Sequence, residues 1–363
     1  MVGRTDAAAL QPQLEDVIQE GRPLKLSSVN KSGSDLAVFE EDMSFAQSIQ
    51  AGEVEIEVRA TKLSSKDVES LSREHTDSKL DQECAGVVSK TGSDVKHLSV
   101  GDRVAAWCRG TFATHLRVPA GFAHKISDTM TFEVAATLPQ AYATAHYALS
   151  HIAHLQSGET VLIHKAADAV GQASIEIASK AGAKIFATVR SEEEKSYLVE
   201  TYDIDRTGVF SSLDLKFVTA LRRATKGRGV DVILNTMTGE ALQATFSCIA
   251  PFGRFVDLNT QSTDRLEMAP FGRNVLFSSV DMALLYKQKP KLASQVFQEA
   301  MSAIAETVTT HHGAIEVMPW SKLDEAVKIV QDETQDRQAV MVPQADDQVL
   351  VGRVLTKRYS RCD

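Results

Sequence analysis

Cysteine is scarce in this sequence, and its four residues, Cys84, Cys108, Cys248 and Cys362, form no CxxC pair. This spacing excludes a zinc or disulfide framework and is typical of reduced cytosolic thiols. Apolar runs are short: none approaches the ~20 residues that cross a membrane, and the N-terminus lacks the apolar segment of a secretory signal. The net charge of −9 argues against nucleic acid as a main partner. We therefore expect a cytoplasmic protein with no membrane or nucleic-acid partner.

The 363 residues, 43% of them hydrophobic and 24% charged, are enough for roughly two globular domains. Short strand-like runs dominate from about Pro23, whereas helices alternate with strands from about Thr131. The alternating part predicts an α/β fold with a doubly wound parallel Rossmann sheet. Its predicted strands are residues 161–164, 185–189, 209–212, 230–235, 254–258 and 275–280. Residues 141–281 are predicted as this domain, 23–140 and 282–343 as a smaller β-rich domain, 1–22 as a lead-in and 344–363 as a linker tail.

Residues 161–171, VLIHKAADAVG, have the layout of a dinucleotide-binding turn, in which a strand runs through small residues into a helix. Glycines normally let that backbone approach a pyrophosphate at the helix N-terminus. Here Asp168 and Ala169 stand where two glycines are expected. The carboxylate predicts weak or lost cofactor binding, either by repulsion or by capping the helix, although Lys165 can neutralise it. The turn residues predicted to face a cofactor are Ala167, Asp168, Ala169, Val170 and Gly171.

A second phosphate seat is predicted after the strand at 185–189, where Arg190 and Ser191 follow and Lys195 lies one turn further on. An NAD enzyme usually carries Asp or Glu at this point to hold the ribose 2′-hydroxyl, so the basic residues favour NADPH. The alternative is a solvated acidic helix start, because the three glutamates at 192–194 partly cancel the positive charge.

Several histidines and tyrosines are considered as candidate catalytic residues, because their side chains can exchange protons. His115, His146 and His164 lie in or next to predicted helices and strands, and we expect them to be structural rather than catalytic bases. Tyr142 and Tyr147 offer hydroxyls to a cleft, but buried helix tyrosines are the favoured interpretation.

Short motifs along the chain are individually unspecific but keep a fixed order. They are EVEIEVRAT at 53–61, ECAGVV at 83–88, VGDRV at 100–104, AATLP at 135–139, LQSGETVLIH at 155–164, FSS at 210–212, GRGVDVILN at 227–235 and APFGRFV at 250–256. With the domain order, they resemble the medium-chain dehydrogenase/reductase superfamily, and within it the enoyl reductase domains of type I synthases, particularly fungal highly reducing polyketide synthases. The resemblance covers residues 23–343 and implies a GroES-like β-rich domain. Because Glu83 has no neighbouring His and the four-cysteine lobe is absent, it indicates the zinc-independent branch, without metal.

The resemblance implies hydride transfer from NADPH to the β-carbon of an α,β-unsaturated thioester, followed by protonation at the α-carbon. Lys66 and Asp67 match a family pair near the substrate cleft, and Asn235 matches the loop after the fourth Rossmann strand. Thr260 and Ser262 take the positions of a Lys and an Asp in the family's proton-donating loop. Neither hydroxyl is acidic enough for that role unless strongly activated.

Two further points concern this resemblance. An alternative alignment of the proton-donating loop uses Asp264 and Arg265. In addition, the family's C-terminal run with two Gly-Lys pairs is replaced here by residues 333–338, ETQDRQ. Departures in the pyrophosphate turn, the acid loop and this segment together predict loss of chemistry with retained folding.

These patterns favour a catalytically silent, structural or docking domain excised from a polyketide synthase. The implied partners are the other synthase domains, the acyl carrier protein and a trans-acting enoyl reductase, with homodimerisation through a sheet edge at residues 275–285. Two alternatives stay open: an active NADPH-dependent enoyl reductase acting on a carrier-bound thioester, and a free-standing quinone-oxidoreductase-like enzyme. The abrupt start and the charged tail favour a piece of a longer chain.

Overall fold

The computed structural model describes residues 12–29, 37–65, 67–68, 81–259, 269–304, 314–332 and 337–352. The chain divides into two compact units. Unit 1 comprises Met1–Thr137 and Ala314–Asp363, and unit 2 comprises Leu138–Gly313. Within the described residues, no helix is long and apolar enough to cross a bilayer.

The first segment of unit 1 is built mainly of strands. They are β1 (Gln13–Asp16), β2 (Leu24–Val29), β3 (Ala37–Glu41), β4 (Glu53–Leu63), β5 (Asp81–Thr91), β6 (Arg103–Arg109), β7 (His115–Pro119) and β8 (Ala123–Lys125), followed by helix α1 (Phe132–Ala135).

Unit 2 alternates strands and helices. Its strands are β9 (Thr160–Ile163), β10 (Lys184–Val189), β11 (Val209–Ser211), β12 (Val230–Asn235), β13 (Ile249–Asp257) and β14 (Leu276–Ser279). Its helices are α2 (Pro139–His146), α3 (Ala169–Lys180), α4 (Glu192–Tyr202), α5 (Lys216–Ala224), α6 (Gly239–Phe246), α7 (Met282–Gln288) and α8 (Pro290–Ile304), with a π-helix at Tyr147–Ile152 directly after α2.

The chain then returns to unit 1 through β15 (Ala314–Pro319), α9 (Leu323–Gln331), β16 (Arg337–Val342) and β17 (Gln348–Gly352). One sheet of unit 1 has the order β15-β16-β4-β5-β6-β8, with β7 paired to β4, and a second has the order β1-β17-β3-β2. Short 3-10 turns occur at Met43–Ala46, Ala120–Phe122, Arg206–Gly208, Ala269–Arg273 and Trp320–Lys322.

The sheet of unit 2 has the order β11-β10-β9-β12-β13-β14, and its neighbouring strands are parallel. This is a doubly wound sheet whose strand order reverses between β9 and β12, which confirms the predicted fold class. Val161, Leu162 and Ile163 of β9 are fully buried, as in a parallel sheet covered on both faces. Ligands of such folds bind outside the carboxyl ends of the strands at the reversal point, so that edge is the place to look for a site.

Two predicted boundaries differ from the structure at the ends of the chain. Strand β1 lies in the predicted lead-in, and β17 lies in the predicted tail; the two pair antiparallel, with Gln13 opposite Val351. Only alternate residues of β17 are buried, Val349 and Val351 among them. Such short, half-polar strands give a weak sequence signal because one face is solvated.

The predicted end of the Rossmann domain at residue 281 also differs, because α7 and α8 belong to unit 2. The buried residues of α8 recur at helical spacing, as at Ala293, Val296, Phe297 and Ala300, and α8 packs on α2. The amphipathic face of this helix therefore completes the core of unit 2.

Candidate functional site

The turn after β9 leads into α3 as predicted, with Asp168 at the N-cap position and Ala169 as the first helical residue. The backbone of Asp168 is extended, with φ −70° and ψ 162°, as expected for an N-cap. Its carboxylate, however, makes no capping hydrogen bond. The capping interpretation of this substitution is therefore wrong, and the charge of Asp168 has to be balanced by other groups.

Gly171 is the one glycine of the expected pattern that remains in this turn, and the structure explains why. A Cβ at this position would lie 2.6 Å from Ala166 Cα and 2.7 Å from the Ala166 carbonyl carbon. These are rigid backbone atoms, so helix α3 packs against the turn only with glycine here. The glycine that serves packing is retained, whereas those that serve phosphate approach are replaced.

We expect Gly171→Ala to destabilise the chain by about 1–3 kcal/mol, the usual cost of overpacking. Gly272→Ala is the matched control, because a Cβ at Gly272 in the same unit would meet no atom within 4 Å. Urea unfolding followed by far-ultraviolet circular dichroism measures both. Equal midpoints for the two variants would refute the packing role.

Arg190 follows β10 and neutralises Asp168 only in part. One guanidinium nitrogen, Nη2, lies 3.6 Å from Asp168 Oδ1 and 2.9 Å from Glu194 Oε1. The Arg190 Nε donates to the same Glu194 oxygen at 3.0 Å, and the Arg190 backbone N–H donates to Glu194 Oε2 at 2.7 Å. Arg190, Asp168 and Glu194 are hereafter called the acidic clamp, because two carboxylates hold one cation.

The acidic clamp is partly buried. The side chains are 34% exposed for Arg190, 41% for Asp168 and 17% for Glu194. Burial raises the pKa of the Asp168 carboxyl above its ordinary value, while the charges of Arg190 and Lys165 oppose that shift and the charge of Glu194 adds to it. The cation predicted for a 2′-phosphate is therefore already engaged by acidic groups of the chain itself.

A cavity of about 520 Å³ lies beside the ends of β10 and β11. It brings together Arg190, Ser191 and Lys195, the three residues predicted as a 2′-phosphate seat. The Ser191 hydroxyl caps α4 by accepting the Glu194 N–H at 3.2 Å. In the part of the chain that is described, Lys195 makes no ion pair. The cavity has the volume of a small-molecule pocket, but only one of its three predicted ligands is uncommitted.

Other cavity residues also lie in pairs of opposite charge. Lys216 pairs with Asp214 at 2.6 Å, and Glu192 pairs with Arg206. Glu192, Asp214 and Lys216 line the cavity, together with the aromatic ring of Phe210. The lining is therefore balanced in charge rather than strongly basic.

Asn235 ends β12, and its amide faces the neighbouring strand rather than an open cleft. Its Nδ2 donates to Asp257 Oδ1 at 3.0 Å and to the Met237 carbonyl at 3.0 Å. The Asn259 N–H donates to the same Asp257 oxygen at 3.1 Å. Both Asn235 and Asp257 are buried. Asp257 was not selected from the sequence; its signal is an acidic residue that ends an apolar buried strand at the carboxyl edge.

Asp67 lies in unit 1 and forms a reciprocal cap with Ser64. Its Oδ2 accepts the Ser64 N–H at 2.8 Å and the Ser64 hydroxyl at 2.5 Å, while the Asp67 N–H donates to Ser64 Oγ at 3.2 Å. This pattern is a capping box, which gives Asp67 a structural role. Lys66, Thr260 and Ser262 lie outside the described residues, as do Asp264 and Arg265.

Of the histidines and tyrosines predicted to be structural, His164 and Tyr142 are buried, whereas His115, His146 and Tyr147 are half-buried. His164, at the end of β9, is 2% exposed, and both of its ring nitrogens have hydroxyl partners: Nδ1 with Thr188 Oγ1 at 2.9 Å and Nε2 with Thr245 Oγ1 at 3.1 Å. Burial lowers its pKa to about 3. Tyr142 is also buried, and its hydroxyl donates to Glu176 Oε2 at 2.6 Å. These contacts support structural roles for His164 and Tyr142.

Two family models match the chain. The alcohol dehydrogenase GroES-like domain model matches residues 50–128, and the zinc-binding dehydrogenase model matches residues 169–306. The first match lies in unit 1 and the second in unit 2. The predicted pairing of a GroES-like domain with a Rossmann-type domain is thereby confirmed.

Curated relatives include large fungal synthases. The highly reducing polyketide synthase phiA of a fungal species is 36% identical over 351 residues, which are 96% of this chain and 14% of that protein. The hybrid PKS-NRPS synthetase pynA of Aspergillus niger is 38% identical over 349 residues, which are 94% of this chain and 9% of that protein. The chain thus spans only a small part of the length of these relatives.

Solved structures of enoyl reductases are also similar. The CurK enoyl reductase is 29% identical with a TM-score of 0.76, and the match covers 88% of this chain and 99% of that one. The apo form of the JamJ enoyl reductase is 25% identical with a TM-score of 0.71, covering 88% and 98%. The chain therefore belongs to the medium-chain dehydrogenase/reductase superfamily, as an enoyl-reductase-type domain of the kind that fungal highly reducing polyketide synthases carry.

Proposed function

We propose that this domain is catalytically silent and serves as a structural or docking element within a polyketide synthase. The observation that carries the proposal is the acidic clamp. In the superfamily pattern, Asp168 occupies the pyrophosphate turn and Arg190 the 2′-phosphate seat. The pyrophosphate seat therefore presents a carboxylate to the negatively charged cofactor. The 2′-phosphate seat presents a cation that is already paired with carboxylates.

The electrostatic cost of binding follows from simple magnitudes. Two like charges ~4 Å apart repel by about 4 kcal/mol at an effective dielectric constant near 20. A phosphate next to Asp168 meets that repulsion or requires the carboxyl to take up a proton, and either event weakens binding. A 2′-phosphate at Arg190 must also displace Glu194, which holds the guanidinium through Nε and Nη2.

The residues present do not fit a dinucleotide cofactor, so no reaction step is assigned to NADPH. Two other residues predicted to bind the cofactor make hydrogen bonds within the fold instead. Ser191 caps α4, and Asn235 joins β12 to Asp257. The turn after β9 keeps Gly171 for packing. The residues needed for packing are retained, whereas those of the phosphate seats are altered. This pattern is expected when selection maintains folding but not catalysis.

A docking role requires surfaces that meet other domains. The fungal relatives are much longer than this chain, which supports other synthase domains as partners, with the acyl carrier protein and a trans-acting enoyl reductase as further proposed partners. Strand β14 is an edge strand of its sheet, with Leu276 65% exposed and Phe277 36% exposed. An apolar exposed edge of this kind supports the proposed homodimer contact.

One observation favours the alternative of an active NADPH-dependent enoyl reductase. The cavity beside β10 and β11 is of a suitable size for part of a nucleotide, and Lys195 lines it. In this alternative, Lys195 would bind the 2′-phosphate in place of Arg190. The two functions differ directly in cofactor affinity.

Isothermal titration of the 363-residue chain with NADPH tests the proposal. We expect binding to be absent or to have a dissociation constant in the millimolar range. A micromolar constant would overturn it, and a thioester reduction assay would then ask whether chemistry survives. NADH, which lacks the 2′-phosphate, is the matched ligand control, because a preference for NADPH over NADH would identify Lys195 or Arg190 as a working phosphate ligand.

A further inference from the structure

Two imidazoles and a carboxylate converge in unit 2, away from the phosphate seats. His146 Nε2 lies 3.1 Å from Glu299 Oε2, and His151 Nε2 lies 2.7 Å from the same oxygen. One possible ligand atom from each of the three residues lies within 4.8 Å of those of the other two. We refer to these three residues as the His-His-Glu cluster.

The local backbone explains why the two histidines meet. His146 ends α2, and His151 lies five residues later in the π-helix Tyr147–Ile152. In an α-helix, side chains five positions apart diverge by about 140° around the axis. The i→i+5 bonding of a π-turn brings them to one face, so the two rings meet edge to face at 5.4 Å. Single π-turns of this kind occur frequently at functional sites.

The outer atoms of the cluster also have partners. Ser150 Oγ lies 3.3 Å from His146 Nδ1, and Gln295 Nε2 donates to Glu299 Oε1 at 2.8 Å. These contacts occupy the far side of one ring and the second oxygen of the carboxylate. The atoms that remain directed at one another are the two Nε2 atoms and Oε2. Fixing the far atoms of imidazole and carboxylate ligands is characteristic of metal sites.

We propose that His146, His151 and Glu299 bind a divalent transition-metal ion of the Zn²⁺, Co²⁺ and Ni²⁺ class. Borderline ions take imidazole nitrogen together with carboxylate oxygen, whereas Ca²⁺ and Mg²⁺ prefer oxygen alone. With bonds of about 2.0–2.1 Å, tetrahedral ligand atoms lie about 3.3 Å apart. The observed 3.1 and 2.7 Å nitrogen–oxygen separations therefore need to open by about 0.2 and 0.6 Å to reach that spacing.

The site has three protein ligands and is open to solvent on one side. Glu299 is 40% exposed, whereas His146 and His151 are 18% and 24% exposed. Water or a group from a partner can thus complete the coordination. A bound ion would link the π-turn to α8, and this function does not depend on NADPH chemistry or on the proposed silence of the domain.

The test uses the 363-residue chain without a histidine tag, stripped of metal with a chelator. Titration with Co²⁺ is followed by the visible absorption of tetrahedral Co²⁺, and titration with Zn²⁺ by calorimetry. We expect one equivalent of either ion to bind. His151→Ala and Glu299→Gln should each weaken binding at least ~tenfold, since even outer-partner losses cost about 10–100-fold.

Two further variants separate a built site from surface binding. Gln295→Ala removes only the outer partner of Glu299 and should weaken Zn²⁺ about tenfold. His154→Asn removes an exposed histidine of the same unit, at φ 46° that asparagine tolerates, and should leave the affinity unchanged. Circular dichroism confirms that each variant is folded. Absent stoichiometric binding, or equal losses in the His151 and His154 variants, would overturn the proposal.

Discussion

Replacing Asp168 and Ala169 together by glycine should restore measurable NADPH binding, with affinity rising at least ~tenfold over the parent chain. The double variant removes the carboxylate at the N-terminus of α3 and the Cβ that limits backbone approach. The exposed N–H groups of that helix then offer an anion site. Because the change acts mainly at the pyrophosphate turn, both NADPH and NADH should gain, and NADPH should gain more because Asp168 also pairs with Arg190.

Glu194→Gln acts at the other seat and should have a different signature. The variant leaves an amide next to Arg190 and removes one of the two charges that hold the guanidinium. We expect NADPH to gain about tenfold and NADH to gain little, because only NADPH carries the 2′-phosphate. Calorimetric titration with both cofactors measures the two gains separately.

The matched control is Glu193→Gln, which makes the same charge change on the same helix at an exposed position. Its affinity for NADPH should stay close to that of the parent. The combination of Asp168→Gly, Ala169→Gly and Glu194→Gln should bind most tightly, but less tightly than independent effects predict, because Asp168 and Glu194 share Arg190. If none of these variants gains affinity over Glu193→Gln, the acidic clamp is not what prevents binding.

We do not expect a variant that regains NADPH binding to regain the ability to reduce an unsaturated thioester. The family resemblance assigns the proton donor to positions that hold Thr260 and Ser262 here, and neither hydroxyl is acidic enough for that role unless strongly activated. A variant that binds NADPH but leaves an unsaturated thioester unreduced would separate loss of the cofactor seat from loss of the acid.

The sequence predicted the sheet of unit 2 well, because its central strands are apolar on both faces. The run at 161–164 and the run at 230–235 correspond to β9 and β12 almost residue for residue. Strand β13 begins at Ile249 rather than Arg254, since Gly253 and Pro251 within it weaken the strand signal. Strand β17 was missed because only alternate residues of it are buried, and β1 was missed because its residues are exposed or half-buried.

The sequence predicted which residues lie at the phosphate seats, but not which of them form ion pairs with one another. The resemblance identified Asp168 as a departure and Arg190 as a cation at the 2′-phosphate position. The sequence gives three glutamates after Ser191, and an i,i+4 pair with Arg190 is one option among them. Only the structure shows that Glu194 forms an ion pair with Arg190, whereas Glu192 forms one with Arg206.

The His-His-Glu cluster was beyond sequence reasoning for two physical reasons. Glu299 is separated from His151 by 148 positions, so only the packing of α8 on α2 brings them together. The two histidines are five positions apart, a spacing that the α-helical period places on different faces. The π-turn that aligns them has no recognised signature in the residues 147–152.

His164 should make the chain markedly less stable as the pH falls from 7 to 5. Its imidazole is neutral in the folded state, because burial lowers its pKa to about 3, whereas in the unfolded chain the pKa is about 6.5. Below pH 6.5 the unfolded state therefore binds the extra proton, and stability falls with decreasing pH. The loss from this residue alone should be about 2 kcal/mol between pH 7 and 5, with a limiting slope of about 1.4 kcal/mol per pH unit.

The pH range of this loss separates histidines from carboxylates. Asp231 and Glu299 have pKa values lowered to about 2, and stability from such carboxylates is lost mainly below pH 4.5, as the pH falls toward their folded values. Burial also lowers the pKa values of His115 and His146, so they add to the same slope as His164. The contribution of His164 therefore has to be measured as a difference between the parent chain and a variant.

His164→Gln provides that difference, because an amide can still donate to and accept from the hydroxyls of Thr188 and Thr245 without titrating. Urea unfolding followed by far-ultraviolet circular dichroism at pH 7, 6 and 5 should show that the variant has lost about 2 kcal/mol of the pH-dependent change. His154→Asn, at an exposed position with φ 46° that asparagine tolerates, is the matched control and should keep the parent's pH dependence. If His164→Gln and His154→Asn give the same slope, the buried imidazole is not the source of acid sensitivity, and a charged His164 must be accommodated in the folded state.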